Sequence, residues 1–505
     1  MRRRGPGPGR AAPRARAELH RGHRRSDGRA GSAAPPVPRP RRAVPRSRVV
    51  RIGRLPGRRG GLRALLPLPR DRGRELRLRT RRRRAAAGAL AGVGRGTQRL
   101  LARAGVRGQR PSRAGPVTAG RRVADVVVLG AGISGTSVAL RLAERGVAVT
   151  LVDAGLPGRA TTAGAGIISP FGLAPGDTDP RWTRLVDAAV ARYPGLLRDL
   201  GDDATTRADY AIVDEVVVAA DEEERGALAA LAARAAERDP GGAAGEAPVF
   251  LEGRELRERW PAVDPDLQGL LLAGTARVDG HALTAVLLDA AVRSGVEVVP
   301  GRAELRRAGS RAIVEVDGAP VVADTVVIAT GAWSSSMLTT VGVPTSVTAD
   351  RGQIVHLAAG WLPTERLPVL KTFAGPYVIG FSGGRIVAGA THETSPDHDA
   401  EVRAGDQRTV LQDALRVAPG LTAARIVETR VGLRPASADG FPLVGRSRLD
   451  DVFVATGFGS WGLTLGPLLG EVLADQVLGG PVHPVADLVD PLRVPVDVPE
   501  DAPGE

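Results

Sequence analysis

The chain has 505 residues, 43% apolar and 25% charged, and no cysteine. That composition suits a soluble globular protein of two to four domains, and it excludes a disulfide framework, a thiolate metal centre and a catalytic thiol. The net charge of +15 at pH 7 would point to a nucleic-acid binder if it were spread over the chain, but it is the average of two unlike parts.

Residues 1–122 hold 37 Arg, no Lys and four acids, Glu18, Asp27, Asp71 and Glu75, for a charge of +33. The remainder carries −18. The arm is rich in Arg, Gly, Pro and Ala and has little apolar periodicity. It buries too little apolar surface to offset its chain entropy, so it is expected to be disordered. Three readings compete for it. Arg-rich blocks bind phosphate, as in a nucleic-acid or membrane-surface tail. A targeting peptide is the second, with Arg81–Arg84 ahead of the apolar stretch from Ala85 to Val93. There Arg95 cuts the stretch short, and no clear small-residue cleavage site follows. The third is an upstream extension with no selected structure. One lysine, Lys371, against 69 arginines indicates a GC-rich coding sequence, where even untranslated frames read as Arg, Ala, Gly and Pro, and this favours the third.

From Val123 to about Leu478 apolar strands alternate with amphipathic helices. No apolar run reaches the ~18 residues of a membrane span. Val123–Leu129 is an apolar run of strand length, as expected of a strand buried on both faces. Gly130-Ala-Gly132-Ile133-Ser134-Gly135 follows at once, and Ser134–Arg145 reads as a helix closed by Gly146. A second strand, Val147–Val152, ends in Asp153, 23 residues after Gly130. This strand–GxGxxG–helix–strand–acid unit predicts a dinucleotide site. Gly130 permits the tight turn, Gly132 lets a pyrophosphate approach the helix N-terminus, and Gly135 allows close helix–strand contact. Asp153 can accept hydrogen bonds from ribose hydroxyls.

The small-residue stretch from Gly158 to Pro170 comes next. A nicotinamide enzyme usually enters another helix here, whereas such a loop lets the chain run along an extended FAD. Asp221–Asp239 reads as an exposed helix with an Asp-x-x-Glu start. Arg277-Val-Asp279-Gly280 opens a helix over His281–Ser294. Asp324–Trp333 is a strand and turn, Arg351-Gly352-Gln353 a turn into a sheet, and Tyr377–Thr391 a hairpin. Val431–Gly445 and Ala455–Pro467 complete the set, and the tail after Gly480 is expected to be loose.

The motif stretches at 158–170, 277–280, 324–333, 351–353, 377–391 and 431–467, in this order, resemble the FAD-dependent D-amino-acid oxidase and glycine oxidase family, over about residues 123–478. The resemblance implies an α/β fold. A discontinuous Rossmann-like FAD domain would take residues 123–200, 270–345 and 430–480. An α+β substrate domain with a mainly antiparallel sheet would take 201–269 and 346–429. It further implies FAD contacts from Gly130, Gly132, Ile133, Ser134, Gly135, Asp153 and Ala154, and from Thr161, Thr162, Ala165, Gly166 and Ile167. Gly331 and the loop residues Gly459, Ser460, Gly462, Leu463 and Thr464 complete that set, with the last helix starting at Pro467. The absence of cysteine removes thioether attachment, so FAD is expected to be non-covalent.

The implied chemistry is oxidation of an amino acid or secondary amine, D-amino acid, glycine- or sarcosine-like, or proline-like. Hydride passes to flavin N5 and the imine is then hydrolysed. Arg434 matches the family arginine that holds the substrate carboxylate, where a planar fork suits both oxygens. Tyr377 matches a tyrosine that adds a hydrogen bond to it. Ser460 stands where glycine oxidase carries a second arginine, and Trp461 is either a pocket wall or a packing residue. Oxygen or a respiratory carrier would accept the electrons. The seven histidines show no metal-ligand spacing, so no metal is expected, and only His392 merits attention at the site. A cytoplasmic enzyme is expected, membrane-peripheral if it is a dehydrogenase, and a homo-oligomer is compatible with the sequence. Two alternatives remain. A 2-hydroxy-acid or glycerol-phosphate dehydrogenase of the same superfamily would need a base, often His. A flavoprotein associated with RNA through the Arg-rich arm would show strong salt dependence.

Overall fold

The structure is a computed structural model. It describes residues 122–171, 179–237, 247–344, 346–373 and 375–493. The expected disorder of the arm concerns residues outside that set, Arg122 apart.

Two sheets organise the described chain. In the first, Val452–Thr456, Ala319–Ile328, Arg122–Leu129, Val149–Asp153 and Glu297–Pro300 lie side by side, all parallel. Antiparallel strands Ala303–Ala308 and Arg311–Val316 extend one side, and Leu443–Arg446 pairs with Val452–Thr456. The apolar run at 126–129 is continuous because both faces are covered. Val126 and Val128 pack on one side with Leu140, Leu142, Leu287 and Leu469 of three helices. Val127 and Leu129 pack on the other with Leu305, Val314 and Leu443.

The second sheet has nine strands, mostly antiparallel. Its centre is the order Val347–Ala358, Arg385–Gly389, Tyr377–Phe381, Val369–Thr372, Glu215–Ala219, with Arg425–Ser437 pairing Val347–Ala358 on its other side. One face packs on helix Ala404–Val417 through Val410, Ala414 and Val417. The α/β class and the antiparallel second sheet therefore stand as read from the sequence.

The predicted helices end within two residues of expectation at 133–143, 222–237 and 280–293. Asp279 caps the last of these by accepting from Ala282 N–H at 3.0 Å. Two expectations need correction. The segment after Gly480 is packed as far as Arg493. Val485, Leu488 and Val489 are buried, and Arg493 donates to both Asp439 oxygens. The final helix starts at Gly462, five residues before Pro467. Proline has no N–H, which leaves the Leu463 carbonyl four residues back without its helical donor. The buried Tyr193 hydroxyl donates to that carbonyl instead. Among the described residues no helix is long and apolar enough to cross a membrane.

Candidate active site

The first strand delivers Gly130 into its turn at φ +104°, where a side chain would also collide with the Ala329 carbonyl. A Cβ at Gly135 would collide with the Gly130 carbonyl. Both glycines are required by the protein's own packing. Gly132 differs. Its φ of −76° suits any residue, and a Cβ there would meet only Thr161 Oγ1, at an ordinary 3.5 Å. Gly132 lines the cavity, and nothing in the protein itself bars a side chain there.

Asp153 ends the second strand and ties this turn together. Its Oδ2 accepts from Ala131 N–H and its Oδ1 from Gly155 N–H, both at 2.7 Å, with Arg159 Nη1 3.3 Å from Oδ1. A carboxylate oxygen can accept about two hydrogen bonds, so Oδ1 is filled and Oδ2 keeps room for one ligand hydroxyl. Ile133 N–H donates to Thr161 Oγ1 at 3.1 Å, which pins the small-residue loop to the helix N-terminus. That terminus is a partial positive charge with outward N–H groups, suited to a pyrophosphate.

The cavity is about 990 Å³, the upper end of the usual ~300–1,000 Å³ for a ligand site. It brings together Gly130, Gly132, Ile133, Ser134, Asp153, Ala154, Thr161, Ala165, Gly166, Ile167 and Gly331 with Tyr377, Arg434, Gly459, Ser460, Trp461, Gly462, Leu463 and Thr464. Gly135 and Thr162 do not line it. Gly135 packs under the turn, and the Thr162 hydroxyl donates to the Arg159 carbonyl at 3.0 Å. A cavity of this size, with a glycine turn at a helix N-terminus and the Asp153 carboxylate beside it, fits FAD. Among the described residues no cluster of His, Cys, Asp and Glu could hold a metal ion.

Arg434 comes from strand Arg425–Ser437, directly opposite Asp350. Its guanidinium lies across Gly352, where any Cβ would overlap it. Its Nη1 is 3.1 Å from Asp350 Oδ2, 3.3 Å from the Thr391 carbonyl and 3.3 Å from His392 Nδ1. Burial pushes the Asp350 carboxyl up. The His392 hydrogen bond and the Arg434 charge outweigh that and hold it below the usual carboxylate range. Tyr377 leans over Gly389, and burial pushes its hydroxyl up to about 12, with the Arg434 charge pulling the other way. It is therefore a neutral donor at physiological pH.

The sequence reading missed Asp350 and Lys371, and it gave His392 only passing weight. Lys371 lines the cavity and, as the chain's one lysine, was visible as an oddity. Trp461 lines the cavity and packs edge-on against Trp182 at 5.3 Å.

Comparison with known proteins agrees with this geometry. The FAD dependent oxidoreductase (DAO) family model matches residues 125–476. The chain is 35% identical over 356 residues to the uncharacterized oxidoreductase YurR of Bacillus subtilis (strain 168), across 70% of this chain and 94% of that protein. Among solved structures, iminodiacetate oxidase (IdaA) from Chelativorans sp. BNC1 superposes with a TM-score of 0.68 at 34% identity, covering 72% of this chain and 98% of that one. Glycine oxidase from Geobacillus kaustophilus gives 0.66 at 26% identity, covering 74% and 100%.

Proposed function

The chain belongs to the FAD dependent oxidoreductase (DAO) family, and from that premise we propose that it oxidises an α-amino acid or N-substituted α-amino acid. The observation that carries the reading is the Arg434 guanidinium at the cavity wall beside the neutral Tyr377 hydroxyl. Arg434 binds the substrate carboxylate as a two-pronged pair, and Tyr377 adds a donor. FAD, when bound, supplies the two-electron acceptor. The chain's residues orient the C–N bond that becomes the imine, and water hydrolyses that imine afterwards. The similarity to iminodiacetate oxidase supports a secondary amine over glycine itself, as does Ser460 in place of a second arginine.

The FAD-facing set proposed is Gly130 to Ser134, Asp153, Ala154, Thr161, Ala165 to Ile167, Gly331 and Gly459 to Thr464. Residues 123–200, 270–345 and 430–480 form the FAD part in this reading, and 201–269 with 346–429 the substrate part. FAD is held without a covalent link, so acid should release it free. The deciding experiment is a panel of amino acids, N-methyl amines and 2-hydroxy acids, scored by anaerobic bleaching of the flavin. Bleaching by amines supports the reading, and bleaching by hydroxy acids alone sinks it. Oxygen uptake against dye reduction in the same panel separates oxidase from dehydrogenase.

One observation favours the hydroxy-acid alternative. His392 lines the cavity with Nδ1 2.9 Å from Asp350 Oδ2, an orientation that suits a general base.

A further inference from the structure

The cavity continues past Tyr377 to Lys371. These two residues face each other in the antiparallel pairing of Val369–Thr372 with Tyr377–Phe381, so both side chains stand on one face of the sheet. Lys371 Nζ lies 2.8 Å from the Phe171 carbonyl and 3.1 Å from each oxygen of Glu215. Glu215 is fully buried, and its Oε2 also accepts from the Ser169 and Thr275 hydroxyls at 2.6 and 2.8 Å. Lys371 lines the cavity and Glu215 does not. The pair is thus a dipole with its ammonium end at the cavity and its carboxylate sealed behind.

An ammonium carries three N–H donors. The Phe171 carbonyl and the two Glu215 oxygens surround it on the protein side. The Lys371 side chain is still 23% exposed and lines the cavity, so an anion can reach the ammonium from there. Glu215 fixes the ammonium in place, so little freedom is lost when an anion docks on it.

The distance to the other anchor is large. Lys371 and Gly352, on which the Arg434 guanidinium lies, sit on strands three positions apart, about 14 Å at the usual strand spacing. Glycine cannot touch both. Phe171, Val217 and Phe373 give the Lys371 end of the cavity apolar surface. A methylene arm suits that surface, and an acid at its far end suits the ammonium.

We propose that Lys371 is a specificity-determining second anchor, and that the substrate is an elongated amino acid with a second carboxylate several bonds from the first. This rests on the reading that Arg434 holds the first carboxylate.

The test uses thioether acids, which lack the amine and are not oxidised, bound to the holoenzyme and read from the shift of flavin absorbance. Alkylthioacetates are compared with equally long (carboxyalkylthio)acetates of increasing arm length. At one arm length the diacid should bind at least about tenfold tighter than its monoacid. In Lys371→Met/Glu215→Gln, which removes the ammonium without stranding the carboxylate, that ratio should fall to near one. Lys371→Arg, which keeps the charge on a longer side chain, should shift the optimum to a shorter arm. A ratio near one at every length in the natural protein overturns the proposal, as does a ratio that survives the double substitution. If amines fail to bleach the flavin while the diacid preference depends on Lys371, the amine reading fails and the second anchor stands.

Discussion

Arg434→Ala removes the cation on which the amino-acid reading depends. The side chain is 16% exposed and shares Asp350 with His392. Truncation therefore does two things. It removes the carboxylate fork, and it leaves Asp350, itself a quarter exposed, with His392 as its partner. Cutting one partner from a desolvated pair costs about 2–5 kcal/mol, so kcat/KM on an α-amino acid should fall roughly 30- to 5,000-fold. Arg434→Lys keeps the charge but offers one point in place of a fork, and should recover only part of that loss. The control is chemical. An amide of the same substrate lacks the anion and should lose much less between the natural protein and the variant. The assay is anaerobic flavin reduction with both substrates, after FAD content has been matched by absorbance. Equal losses on acid and amide, or none on either, would refute the assignment of Arg434 as the carboxylate anchor.

Other outcomes follow from the same structure. Asp153→Ala should weaken FAD binding about tenfold or more, since charge-assisted hydrogen bonds contribute about 1.5–3 kcal/mol each; titration of apoprotein with FAD checks it. Gly132→Ala should leave the melting temperature of the apoprotein nearly unchanged while lowering FAD affinity. Gly135→Ala should lower the melting temperature itself, because its Cβ meets the Gly130 backbone. Similar behaviour of the two variants would contradict the division of roles. His356 is buried, and neither ring nitrogen has a hydrogen-bond partner among the described residues. Burial, with Arg430 and Arg385 nearby, depresses its pKa to about 4 against the pull of Glu428 and Asp279. The unfolded chain takes up that proton near 6.5. Stability from this group is therefore full above about pH 6.5 and is lost as pH falls towards 4. His356→Leu should flatten the melting-temperature profile in that window, and an unaltered slope would count against it.

What the sequence made legible was local. Gly130, Gly135 and Asp153 lie within one strand–helix–strand unit, where spacing alone fixes geometry. Arg434 and Tyr377 were legible because each sits in a recognisable motif. Asp350 and Lys371 were not, because register brings them in: Asp350 meets Arg434 across a strand pair 84 residues apart in sequence, and Lys371 meets Tyr377 across a hairpin. The start of the last helix was misread because Pro467 looks like a first-turn residue. Its place in the interior depends on Tyr193, whose hydroxyl arrives from 270 residues away. The packed tail was misread for a similar reason. Val485, Leu488 and Val489 are sparse among Pro and Asp, and only the fold shows the surface they cover.

The Asp350–His392–Arg434 cluster bears on which substrate is oxidised. Asp350 is held ionised, so it accepts, and His392 Nδ1 must carry the proton it shares with it. Arg434 Nη1, 3.3 Å from the same nitrogen, then makes a contact with that ring and not a hydrogen bond. The imidazole is thereby fixed against the guanidinium, on the side where a substrate carboxylate would dock. A base that removes a hydroxyl proton must reach the substituent on the α-carbon, one bond further from the anchor. A histidine packed on the anchor itself is placed to complete the carboxylate site before it is placed to act on that substituent. The geometry that made His392 attractive as a base thus fits better with a positioning role; both substrates need their carboxylate positioned, but only a hydroxy acid also needs a base, and a positioning histidine leaves that need unmet. His392→Gln should accordingly raise KM for amino acids more than it lowers kcat. A collapse of kcat with KM unmoved would restore the base and, with it, the hydroxy-acid reading.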